Sequence, residues 1–134
     1  MGLRLSIVTP SRPLLNAEVE QVVAPGSEGE FGVLPGHAAL LVLLKAGVVR
    51  WTEAGRTRRA AISGGFAEVT QERVTVLAPV AELPEQIDSA EAERRRSDAS
   101  AALSNAGAAA PPHEVEKLRS AVESAQARVD ALRG

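Results

Sequence analysis

The 134-residue chain has no cysteine and no tyrosine. Without cysteine, disulfides, thiolate metal centres and cysteine nucleophiles are all excluded. Aromatics are scarce as well: Phe31, Trp51 and Phe66 are the only ones. A core must come from Val, Leu, Ile and Ala, which favours half-buried strands over pockets anchored on large rings. Neither sign of charge prevails. Fifteen basic and 17 acidic side chains leave a formal net charge of −2, so no general field draws the chain to nucleic acid or acidic lipid. No run approaches the roughly 18 apolar residues that span a membrane, and direct membrane insertion is not expected. The chain opens on an alternating pattern, Leu3-Arg4-Leu5-Ser6-Ile7, with no basic stretch and apolar block. No signal or transit peptide is expected, and use in the cytoplasm is.

Two halves differ in period. Over residues 1–83 the pattern is that of strands. Leu3, Leu5 and Ile7 alternate with polar neighbours, and another run covers Ala17 to Val23. Ala39 to Leu44 is almost continuously apolar, as in a strand buried on both sides or at a tight sheet corner. Val48–Trp51 and Arg58–Ile62 follow, and Phe66–Thr70 with Arg73–Ala78 reads as a hairpin about Gln71-Glu72. Glycine and proline punctuate the gaps, among them Gly55 and Gly64-Gly65. Short strands with frequent turns predict a β-sandwich or barrel.

Residues 84–134 are rich in Ala, Glu, Arg and Ser. Asp88 reads as an N-cap, with Glu91 completing a capping box. A helix is predicted over 89–104 and a turn over 105–112. A second helix is predicted over 113–133, with Pro112 suited to its first turn. Val115, Leu118, Val122, Ala125, Val129 and Leu132 form a narrow seam on it. The first helix offers only Ile87, Ala90, Ala99, Ala102 and Leu103 in return. At roughly 25 cal/mol per Å², such small contacts add little beyond the entropy of ordering. The hairpin should therefore dock marginally.

Candidate chemistry is thin. The segment Gly26-Ser27-Glu28-Gly29-Glu30-Phe31-Gly32 lacks the lysine of a phosphate loop and carries two glutamates that repel phosphate. It reads better as a turn with positive φ at a glycine. His37 and His113 stand in different halves with no ligand cluster, so no metal is expected. Ser63 lacks the G-x-S-x-G context. No catalytic residue and no cofactor is expected. Arg94-Arg95-Arg96 reads as a solvated face balanced by Glu91 and Glu93, or as a contact for an acidic partner.

The stretch Pro25-Gly26-Ser27-Glu28-Gly29-Glu30-Phe31-Gly32-Val33-Leu34-Pro35-Gly36-His37-Ala38 closely resembles the signature of the ATP synthase epsilon subunit family. So does Ser63-Gly64-Gly65-Phe66-Ala67-Glu68-Val69 with Val74-Thr75-Val76-Leu77-Ala78. The resemblance implies a β + α fold: an N-terminal ten-stranded β-sandwich over 1–83, then an antiparallel two-helix hairpin over 84–134. It implies a non-catalytic central-stalk subunit, peripheral at the cytoplasmic face of the bacterial inner membrane. The implied partners are the gamma subunit, the c-ring, and the alpha/beta head when the hairpin extends and restrains ATP hydrolysis. Glu28, Glu30, Phe31, Leu34, Pro35, Gly36 and His37 fall on the family surface that faces the c-ring. Arg94, Arg95, Arg96, Lys117, Arg119 and Arg128 would meet acidic segments of the head. Some family members sense ATP through Ile/Leu-Asp-x-x-Arg-Ala at the hairpin. Here Ile87 and Asp88 match, but Glu91 holds the arginine position, which implies weak or absent ATP binding.

Overall fold

The computed structural model describes residues 2–133. Ten strands come first: β1 (Leu3–Val8), β2 (Pro13–Val19), β3 (Gln21–Gly26), β4 (Gly29–Val33), β5 (Leu40–Leu44), β6 (Gly47–Glu53), β7 (Arg56–Ile62), β8 (Gly65–Val69), β9 (Arg73–Leu77) and β10 (Ala81–Glu82). A 3-10 turn at Pro84–Gln86 leads into helices α1 (Ser89–Ser104) and α2 (Pro112–Leu132).

The strands form one sheet in the order β10-β7-β6-β3-β5-β8-β9-β1-β2, with β4 added on β3. All pairings are antiparallel except β1 with β9. β3 pairs with β6 through Gln21–Val23 but meets β5 only at Gly26 opposite Leu44. There the sheet folds over, and the inner faces close on one core. Alternation decides which side chains enter it. Leu3, Leu5 and Ile7 of β1 are fully buried there with Val22, Val49, Trp51, Val74 and Val76.

The sequence reading needs three corrections in this half. The Ala17–Val23 run is two strands broken at Glu20. Gly29–Val33 is a strand, so only Ser27 and Glu28 make the turn expected over residues 26–32. The expected positive φ is found there, at Gly29. The Ala39–Leu44 run is not buried on both sides: Leu44 is 4% exposed, but Leu41 is 70% and Leu43 53% exposed. β5 pairs along its length with β8, yet no described element covers the outer face of that layer. Only its Leu44 end sits at the corner.

The helical half follows its caps closely. Asp88 accepts a hydrogen bond from the Glu91 amide at 3.0 Å. The return half of the expected capping box is missing, because the Glu91 carboxylate points to Arg128 instead. Pro112 opens α2 at its first position. Every residue of the predicted seam is buried or half-buried. Against it, α1 buries Ala92 and half-buries Ala99 and Leu103, whereas Ala90 and Ala102 face solvent. The C-terminal half of α2 buries a second face too. Ala127, Val129 and Ala131 pack with Ile87 and with Ala61 of β7 and Val48 of β6. So α2 lies between α1 and the sheet, and α1 rests on α2.

Candidate functional site

β4 is an edge strand whose only strand partner among the described residues is β3. The two turns quoted from the sequence flank it. Glu28 stands in the tight turn before it, and Leu34, Pro35 and Gly36 stand exposed just after it. At about 3.3 Å per residue, the Glu30 and Leu34 backbones are roughly 13 Å apart. These residues therefore line an edge and do not converge on one point. Each is held. The Glu30 carboxylate accepts two hydrogen bonds from the Arg50 guanidinium, both 3.1 Å. The Gly36 amide donates to the Gln71 carbonyl at 2.8 Å, tying the second turn to the β8–β9 turn. Gly36 adopts φ +87°, which a side chain resists. His37 Nδ1 lies 2.7 Å from the Ala38 carbonyl oxygen. That oxygen only accepts, so Nδ1 carries the proton.

Glu28, Glu30 and Phe31 share a cleft of about 390 Å³ with Leu40–Leu43 of β5. Beyond it runs an apolar row. Leu43 of β5 stands opposite Phe66 of β8, and Phe66 opposite Leu77 of β9. All three are about half exposed, at 53%, 50% and 50%. Leu77 in turn stands opposite Val8 of β1. An apolar stripe across four strands, with Leu41 beside it, is the kind of exposed patch that marks a protein interface. It covers the layer the helices leave bare.

The six basic residues singled out in the hairpin do not form one surface. Arg94 and Lys117 are exposed. Arg95 lies 3.9 Å from Glu91 and Arg96 3.1 Å from Glu93, each within its own helix. Arg119 pairs similarly with Glu116 at 3.5 Å. Arg128 is different. It bonds Glu82 of β10 at 2.8 Å and Glu91 of α1 at 3.3 Å. Its side chain is only 19% exposed. Burial pulls the Arg128 pKa down, but bonding to Glu82 and Glu91 more than offsets this and leaves it raised. One guanidinium thus joins sheet, first helix and second helix.

A cleft of about 680 Å³ opens beside this cluster between the helices. Glu82, Glu91 and Asp98 border it, with Arg95 and Arg128. Three carboxylates against two guanidiniums make it a poor phosphate receptor. Ile87 is buried under α2 and Asp88 caps α1; neither side chain borders the cleft. No group of His, Cys, Asp or Glu among the described residues has metal-binding geometry. No described helix is long and apolar enough to cross a membrane.

Residues 2–84 match the family model described as ATP synthase, Delta/Epsilon chain, beta-sandwich domain. The chain belongs to this family. Its relatives include the ATP synthase epsilon chain of Granulibacter bethesdensis, 46% identical over 92% of this chain and 89% of the relative. The epsilon chain of Pelotomaculum thermopropionicum is 50% identical over 71% of this chain and 72% of its own length. Among solved structures, a chain of the Euglena gracilis mitochondrial ATP synthase, determined as OSCP/F1/c-ring, superposes with a TM-score of 0.79. It is 24% identical, over 99% of this chain and 82% of its own. A chain of the Tetrahymena thermophila mitochondrial central stalk and c-ring gives 0.68 at 12% identity, over 98% and 97%. At such identities the likeness is one of fold. The delta/epsilon family match falls on the sandwich, where the apolar row lies. Sequence reasoning missed that row, although Leu43, Phe66 and Leu77 each occupy an outward position in their strands. The signal was there once the strands were put in register.

Proposed function

We propose that the chain is the non-catalytic central-stalk subunit of an F-type proton-translocating ATP synthase, coupling c-ring rotation to the catalytic head. It works as a peripheral subunit at the cytoplasmic face of the bacterial inner membrane. The observation that carries this reading is the bare apolar row Leu43–Phe66–Leu77 on a sandwich of the delta/epsilon family. That row docks against the gamma subunit. Burying three such side chains contributes roughly 1.5–3 kcal/mol each, enough to hold a rotor part. The β4 edge, with Glu28, Glu30, Phe31 and the Leu34–His37 turn, meets the c-ring loops. Fixed turns on rigid sheets suit a contact that transmits torque.

The hairpin is the regulatory part and restrains ATP hydrolysis when it extends along the stalk to the alpha/beta head. Its docking rests mostly on alanines, with Ile87 and Val129, and on the Arg128 cluster, so docked and extended packings can differ by only a few kcal/mol. Once extended, Arg94, Arg95, Arg96, Lys117, Arg119 and Arg128 face acidic segments of the head. An ATP-sensing role is the weaker reading, because Glu91 occupies Arg128 and adds negative charge to the interhelical cleft. Complexes assembled with the full chain and with a version ending at Leu83 test the regulatory claim. Faster hydrolysis with the short version is expected. Equal rates would leave the hairpin as a structural cap.

A further inference from the structure

Arg50 of β6 and Arg59 of β7 stand directly opposite each other in the antiparallel pair. Like charges in that position repel and cost stability. One of them is neutralised, Arg50 by its two bonds to Glu30. Arg59 has no carboxylate within ion-pair distance among the described residues. Both line a cleft of about 480 Å³ beside the C-terminal turn of α2, with Lys45 and Arg133 at its rim. Lys45 is likewise without an ion pair among the described residues.

The acidic residues at the cleft are Glu30 and Asp130. Asp130 already accepts from Gln126 at 2.8 Å and lies 3.9 Å from Arg133. Four cations against two carboxylates leave the lining at +2, within a chain of formal charge −2. The end of α2 does not explain this excess. Cations do favour a helix C-terminus, but no hydrogen bond joins Lys45, Arg50 or Arg59 to a carbonyl of the last turn of α2. Half-buried Arg59 and exposed Lys45 are the two cations of the lining left without an ion pair among the described residues.

We infer that this cleft binds a phosphate group, as free inorganic phosphate or as the headgroup of an anionic phospholipid. The unpaired Arg59 guanidinium offers a fork that matches phosphate oxygens, Arg50 beside it keeps N–H groups beyond its two bonds to Glu30, and Lys45 adds a point charge. A dianion would offset the +2 lining and relieve the Arg50–Arg59 repulsion. The site lies on the helix-bearing face, away from the apolar row, and does not depend on the subunit assignment.

The test uses the full chain with labelled arginine Nε–H groups. Inorganic phosphate is titrated against sodium chloride at matched ionic strength. Sedimentation with phosphatidylglycerol vesicles, against phosphatidylcholine vesicles, forms the second arm. Saturable shifts at Arg50 and Arg59 with phosphate identify the free anion. Sedimentation with the anionic vesicles alone identifies the headgroup. Arg59→Ala should weaken either response about ten-fold, the loss of one charge-assisted bond. Arg59→Glu should abolish it while thermal stability holds or rises, because the repulsion becomes an attraction. Shifts equal to those in chloride together with no vesicle binding, or binding that survives Arg59→Glu, would overturn the inference.

Discussion

Gly65 shows how tightly single residues are specified. It adopts φ +130° at the start of β8, and a Cβ there would run into the Leu77 carbonyl oxygen. Gly65→Ala should therefore cost more than about 2 kcal/mol, or prevent folding, as read from chemical denaturation. Ala54 is the opposite case. With Gly55 it forms the two-residue turn between β6 and β7, and it sits at φ +51° without being glycine. Ala54→Asn should stabilise the protein by about 0.5–1 kcal/mol, since asparagine tolerates that conformation better. The Gly64-Gly65 turn was legible in sequence because glycine advertises unusual φ. The Ala54 strain was not, because alanine advertises nothing.

Elements differ in how far their letters describe them. α1 and α2 were legible almost to the residue, because caps and prolines are local signals. The use of Glu91 was not legible: the capping pattern is local, whereas Arg128 reaches it from 37 residues away. β5 misleads for a related reason. Five consecutive apolar residues look the same whether a neighbour covers them or a partner must. The Arg128 cluster is where hairpin behaviour can be tested. Arg128→Ala leaves Glu82 and Glu91 facing one another. Partial exposure tempers the loss to about 1–2 kcal/mol, which should appear as faster amide exchange in α1 than in β1. The Arg128 pKa is raised above the ordinary arginine value. Its stabilisation is therefore complete below that value and is lost only as pH climbs past the folded pKa. Exchange protection of α1 should not fall through loss of the Arg128 charge between about pH 7 and 10, whereas high salt should lower it.

Seen whole, the sandwich has one covered side and one bare side. The helices lie over β6 and β7, where Val48 and Ala61 are taken up. The opposite layer presents Leu41, Leu43, Phe66 and Leu77 to solvent. The asymmetry supports the proposed division of work, with a fixed docking face on one side and an exchangeable hairpin on the other. Long-range pairings such as parallel β1–β9 create this division, and they were beyond a reading of local pattern. ATP should bind the isolated chain weakly or not at all by equilibrium dialysis; tight binding would contradict the view that Glu91 blocks the interhelical cleft.

The docking face is the centre of the account, and Phe66→Glu tests it most directly. The full-length variant and parent are titrated onto an ATP synthase head that carries gamma but lacks this subunit. Loss of a buried anchor at the middle of an interface costs about 2 kcal/mol or more. The variant should therefore bind at least about 30-fold more weakly while its own thermal stability is kept, since Phe66 is half exposed in the free chain. Affinity equal to that of the parent would contradict the account and place the gamma contact elsewhere on the molecule.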